Sequence, residues 1–127
     1  MISIAHALST HALQIARYGG ATGLRDRGAL ESALARPFHG FGEDDAYPTP
    51  FGKAAALLHS LAKNHPFVDG NKRIAFVLAL YLLEELGYQL RPDVTDDARY
   101  EMVIAVASSE LDYDGIVEWL RQHTAPI

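Results

Sequence analysis

The stretch His65-Pro66-Phe67-Val68-Asp69-Gly70-Asn71-Lys72-Arg73, with the unbroken apolar run from Ile74 to Leu83 behind it, decides how this chain folds. Pro66 disfavours helical geometry at His65, so a helix arriving from the N-terminal side ends near Asn64. Asp69 or Gly70 opens the next helix: Asp is a good N-cap, and Gly lets backbone approach a ligand closely. The run that follows is apolar on every side and too short to cross a bilayer, which places it in the middle of a domain. A histidine, a carboxylate, an amide and two cations therefore stand at the N-terminal end of a buried helix. Free backbone N–H groups and the positive end of the helix dipole make such a place an anion site. Lys72 and Arg73 add charge that suits phosphate. Asp69 suits a divalent cation bound through oxygen. Histidine titrates near neutral pH, as a proton-transfer group must.

Taken singly, each residue has a plainer reading. A histidine before proline can simply satisfy a helix C-terminus, and Asp69 can be an N-cap and no more. Lys72 and Arg73 can be solvated charges, although their sign is unfavourable in a first helical turn unless an anion is present. Together they fit a phosphate-handling site better than coincidence.

Working outward, 127 residues with 49% hydrophobic content make one domain, 1–127, with a core of its own. No cysteine is present, so disulfides and thiolate metal sites are excluded, which fits a reducing cytoplasm. The N-terminus carries no basic segment and no long apolar core, so no signal peptide or membrane segment is expected. The formal charge of −5 and the lack of a basic stripe argue against nucleic-acid binding. Acidic residues gather at Glu43-Asp44-Asp45 and from Asp93 to Asp97, as solvated charges or a face for a basic partner.

Ser3 caps a first helix running to about Tyr18, with Ile4, Leu8, His11, Ile15 and Tyr18 on one face and Ala7 and Ala12 flanking it. Gly19-Gly20 stops it. His6 and His11 are assigned no role. Asp26 caps a short second helix through Leu30, Leu34 and Ala35, with Pro37 past its end. Residues 37–50 are loop by composition, long enough for a lid, with Phe38, Phe41 and Tyr47 as apolar grips. Thr49-Pro50 opens a third helix that delivers His65 at its end. The buried fourth helix stops at Gly87, and Tyr88-Gln89-Leu90 is a brief extended piece. Thr95 caps a fifth helix, with Asp96 and Asp97 suiting the dipole and Met102, Val103, Val106 and Ala107 apolar. Asp112 caps a sixth, with Ile116, Val117, Trp119 and Leu120 on its apolar side and Arg121 and His123 at its end. The fold class is all-α, a compact bundle of about six helices.

The motif His-Pro-Phe-x-Asp-Gly-Asn-Lys-Arg resembles the signature of the Fic/Doc superfamily, in the form carried by death-on-curing toxins. Tyr18-Gly19-Gly20, Gly23-Leu24-Arg25-Asp26, Leu30, Ala33, Arg36-Pro37, Tyr47-Pro48 and Gly87-Tyr88 are also similar to that family, so the resemblance covers most of the chain. It implies transfer from ATP to a Ser or Thr hydroxyl of a protein. On that resemblance His65 takes the hydroxyl proton and Asp69 binds Mg²⁺. Gly70 and Asn71 shape a turn whose N–H groups hold phosphate oxygens, and Lys72 and Arg73 stabilise the charge of the transition state. The segment 37–50 sits where the family carries a flap that holds its target by strand addition.

Two departures bear on which phosphate moves. AMP-transferring members of the superfamily have Gly where this chain has Lys72, and a second Arg where it has Phe76. The Doc branch shares the present pattern. It implies transfer of the γ-phosphate, with a threonine of translation elongation factor Tu as the kind of target and growth arrest as the outcome. The self-inhibitory string of many Fic enzymes, Ser or Thr, three residues, Glu, then Gly or Asn, is missing here. The resemblance thus implies restraint by a cognate antitoxin whose C-terminal segment lies in a groove beside the site. AMP transfer, a non-catalytic nucleotide- or partner-binding module, and a purely structural bundle are the alternatives.

Overall fold

Short polar side chains start the helices. Ser3, Asp26, Thr49, Thr95 and Asp112 each accept a hydrogen bond from the backbone N–H three residues on, satisfying donors that a helix start leaves unpaired. The computed structural model describes residues 1–41 and 44–127. Gly42 and Glu43, and with Glu43 part of the expected acidic cluster, lie outside the described residues, as does the side chain of Phe41. The helices are α1 (Ile4–Tyr18), α2 (Arg27–Ala35), α3 (Pro50–Asn64), α4 (Asn71–Glu85), α5 (Asp96–Ala107) and α6 (Tyr113–His123).

α3 and α4 form the centre, with the other helices packed around them. Leu57, Leu58 and Leu61 of α3 and Ile74, Leu78, Leu82 and Leu83 of α4 are buried. Each such side chain contributes about 1.5–3 kcal/mol on removal from water. Ala54, Ala55, Ala56 and Ala62 on α3, and Ala75 and Ala79 on α4, are buried too; small residues let helices approach closely. The expectation that α4 is enclosed on all sides holds except along one edge, where Tyr81 is 38% exposed and meets the His6 ring edge-on at 4.3 Å. On α1 the inward face is Ala7, His11 and Ile15, whereas Tyr18 and Ala12 are exposed.

The connections hold more structure than their composition suggests. A 3₁₀ turn spans Arg36–Phe38, and β1 (Gly40–Phe41) pairs antiparallel with β2 (Asp44–Asp45), Gly40 opposite Asp45. β3 (Tyr88–Leu90) pairs antiparallel with β4 (Thr124–Pro126), Gln89 opposite Ala125. No helix among the described residues is long and apolar enough to cross a membrane.

Candidate active site

His65 ends α3 in the left-handed region, φ 47° and ψ 61°, sparsely populated for a residue with a Cβ. Its neighbours hold it there. Arg25 donates from Nε to the His65 carbonyl and from Nη2 to the Asn64 carbonyl, both at 2.7 Å. These are acceptors that a helix C-terminus leaves unpaired. The Pro66 carbonyl accepts from the backbone N–H groups of Arg25 at 2.8 Å and Asp26 at 2.9 Å. Val68 donates to the Gly23 carbonyl at 3.0 Å, and Leu24 and Phe67 form an isolated antiparallel bridge. The segment between α1 and α2 thus grips the motif loop along its length, and the His65 side chain remains exposed.

Asn71 closes the loop from the other side. Its Oδ1 accepts from the Phe67 N–H and its Nδ2 donates to the Phe67 carbonyl, each at 2.9 Å. That commits the buried amide to the loop backbone. The group Asn71 can turn toward an anion is its main-chain N–H, one of those at the helix start with no intrahelical partner. Phe67 is buried and stacks on the His11 ring, centroids 3.8 Å apart and planes 8° from parallel. His11, which the sequence left without a role, is itself buried, and its Nε2 lies 2.8 Å from the Asp69 carbonyl oxygen. Only an N–H can pair with a carbonyl, so Nε2 carries the proton.

Gly70, not Asp69, is the N-cap of α4, at φ 75° with no side-chain capping bond. The Asp69 carboxylate turns instead to the α1–α2 segment: Oδ2 accepts from the Ala21 N–H at 3.0 Å, and Oδ1 from the Gly70 N–H at 2.8 Å. Gly20 makes this approach possible, since a Cβ there would stand 2.8 Å from Asp69 Oδ2 and φ is +119°. The Ala21 N–H first, then the Gly70 N–H, Arg73 and His11, hold the carboxyl below its usual range. Arg73 is half-buried: its guanidinium lies 5.0 Å from the centroid of the Tyr18 ring and donates to the Gly19 carbonyl at 3.4 Å. Lys72 is exposed.

These groups open onto one cavity of about 880 Å³, within the range of small-molecule sites. His65, Asp69, Gly70, Asn71, Lys72 and Arg73 all line it, so the residues singled out in the sequence meet in space. Gln14 and Tyr18 of α1 form one wall and Phe76 and Val77 of α4 the floor. α5 supplies a further wall, Asp96 to Ile104, which the sequence did not connect to the motif. Among the described residues no three His, Asp or Glu side chains gather into a metal cage. Asp69, exposed and ionised, has lone pairs left beyond its two N–H bonds. It fits Mg²⁺ held jointly with phosphate oxygens and water, as that ion prefers.

The segment before α3 is tied to the helix that carries His65. Lys53 Nζ donates to the Tyr47 carbonyl at 2.7 Å, to Asp45 Oδ2 at 3.0 Å and to the Pro37 carbonyl at 3.3 Å. Arg36 bonds the Tyr47 hydroxyl at 2.8 Å and the Ser60 hydroxyl at 2.7 Å. Burial first, then the charges of Arg36 and Lys63, push the neighbouring His59 below its ordinary range.

A helical bundle whose two central helices are joined by this loop belongs to a known family: residues 1–83 match the Fic/DOC family, and the chain is a member of it. It is similar to Toxin Doc of Mycolicibacterium smegmatis, 44% identical over 108 residues, covering 85% of this chain and 83% of that one. It is also similar to the Protein kinase doc of Escherichia phage P1, 28% identical over 123 residues and 95% and 93% of the two chains. A Fido domain-containing protein of Dictyostelium discoideum matches 49 residues at 37% identity, 39% of this chain and 34% of its own.

Proposed function

We propose that the chain is the toxin of a toxin–antitoxin pair and acts as a protein kinase, moving the γ-phosphate of ATP to a Ser or Thr hydroxyl of a target protein. The observation that carries this reading is that His65 and the N-terminal end of α4, with Lys72 and Arg73, line the same cavity. A base and a phosphate cradle facing one space are what transfer to a hydroxyl needs. The names of the relatives in M. smegmatis and phage P1 agree with a toxin and a kinase.

In the proposed step His65 accepts the hydroxyl proton as the hydroxyl oxygen bonds to the γ-phosphorus. The bond from that phosphorus to the β,γ-bridging oxygen breaks, and ADP leaves. The backbone N–H groups opening α4, with Lys72 and Arg73, hold the phosphoryl oxygens as their charge redistributes. Mg²⁺, held by Asp69 together with phosphate oxygens, would neutralise part of the phosphate charge. The β1–β2 segment, anchored by Lys53 to α3, offers main-chain groups to the target's backbone. We take the target to be translation elongation factor Tu, the setting the cytoplasm, and the restraint an antitoxin whose C-terminal segment lies beside the site. The Doc pattern at the motif, Lys72 in place of Gly and Phe76 in place of a second Arg, favours γ-transfer over AMP transfer by its resemblance to the kinase branch.

Incubation with Mg²⁺, bacterial lysate and ATP labelled at either the α or the γ position tests the reading. Label on a protein from γ-ATP alone supports the kinase. Label from α-ATP overturns it in favour of AMP transfer, and label from neither overturns the transferase.

A further inference from the structure

Phe76 leaves α4 without a cation one turn on from the motif, yet that place is not without charge. Arg99, on α5, holds its guanidinium over the Phe76 ring, 6.0 Å from the centroid. It lines the same cavity as His65, Lys72 and Arg73. Phe76 follows Arg73 by three residues, so their side chains are neighbours along one face of α4, about one 5.4 Å turn apart. Arg99 therefore reaches from the facing helix to the spot that a residue at position 76 would command.

The arginine is poorly occupied by its own protein. Its Nε is buried and has no hydrogen-bond partner among the described residues. The nearest carboxylate, Asp96 Oδ1, lies 4.0 Å from Nε on a side chain that is 98% exposed. Native proteins leave few buried N–H groups unpaired, and those that remain invite explanation. Stacking on Phe76 gives the guanidinium a platform, and with the side chain 42% exposed its terminal N–H groups are the ones a phosphate in the cavity can reach.

We propose that Arg99 is the second phosphate-binding cation of the site, holding the part of the nucleotide polyphosphate that is not transferred. This rests on the phosphotransferase reading, but it concerns binding and stands apart from turnover. Phe76 leaves α4 without that cation, and α5 supplies one from across the cavity.

The test is calorimetric titration of ADP and of a non-hydrolysable ATP analogue, each with Mg²⁺, into the wild type, Arg99→Gln and Arg99→Lys. Loss of one charge-assisted contact weakens both nucleotides by about 10- to 100-fold in Arg99→Gln, with partial recovery in Arg99→Lys. Unfolding temperatures without nucleotide differ by no more than about 4 °C, because Arg99→Gln loses only the contact with Phe76 and the 4.0 Å approach to Asp96. Equal ADP affinity in wild type and Arg99→Gln overturns the role of Arg99. A lower unfolding temperature with unchanged affinity assigns the arginine to packing and overturns it as well. A wild type that binds ADP, weakened in Arg99→Gln, but labels no protein sinks the transferase reading and sustains this one. A wild type without nucleotide affinity sinks both.

Discussion

Replacing Asn71 with Ala distinguishes a residue that builds the active-site loop from one that holds phosphate with its side chain. The amide is buried and spends its oxygen and its nitrogen on Phe67, at 2.9 Å each. Removing it strands one buried N–H and one buried carbonyl, and each stranded group costs about 1–3 kcal/mol. Alanine is the better helix former by about 0.5 kcal/mol, which offsets only a fraction. The net expectation is a loss of about 1.5–5.5 kcal/mol, a large share of the 5–15 kcal/mol typical of a domain. At about 4 °C per kcal/mol for a chain of this length, Tm falls by roughly 6–22 °C. Urea unfolding of the nucleotide-free protein gives the same quantity from the midpoint, with an unchanged slope. A variant that unfolds with the wild type but binds nucleotide weakly would refute the clamp and make the amide a phosphate ligand.

His65→Ala lowers transfer by about 10²–10⁴-fold and changes stability by less than about 1 kcal/mol, since the side chain is exposed; a turnover assay beside circular dichroism checks both. Asp69→Asn raises the Mg²⁺ concentration required for half-maximal transfer, and full wild-type activity in a chelator argues against any metal at Asp69. The same carboxyl sets a pH dependence: its pKa is depressed on folding from an ordinary 3.8, so its contribution is present above that value and is lost as pH falls through the folded value. Comparison of the urea midpoints of wild type and Asp69→Asn from about pH 6 to about pH 2 should show the gap constant at first and closing only in the acid arm. Lys53→Met keeps the side-chain stem but removes the donor shared by Pro37, Asp45 and Tyr47; KM for the protein target rises while nucleotide affinity holds, and an unchanged KM removes the β1–β2 segment from target binding.

What was legible in the sequence was local. The five capping residues, the stop at Asn64, the extended Tyr88-Gln89-Leu90 and the buried run of α4 depend on neighbours a few positions away, and all are observed. The convergence of His65, Asp69, Lys72 and Arg73 was legible because nine consecutive residues carry it. The supports of those residues were not. Ala21 binds Asp69 across 48 positions, Arg25 binds His65 across 40 and His11 binds Asp69 across 58; no periodicity encodes such pairs. One signal was present: His11 fell on the apolar face of α1, and a polar ring in a core position needs a partner. The inward turn of Asn71, the pairing of β3 with β4 and the approach of α5 to Phe76 depend on how distant elements pack, as side-chain pattern alone does not specify.

The grip of residues 21–26 on the motif loop separates two kinds of order in one small molecule. The α3–α4 hairpin joins neighbours in the chain and rests on buried leucines and alanines, so it can assemble early and from local contacts. The loop at its tip takes its shape from a strap that enters from far upstream through individual hydrogen bonds. Undocking that strap would dismantle the geometry around His65 and Asp69 while the helical hairpin stayed folded, a local opening far cheaper than melting the core. The chemistry and the architecture are thus secured by different bonds, and a substitution at Gly20 or Arg25 can abolish the first while leaving the second in place.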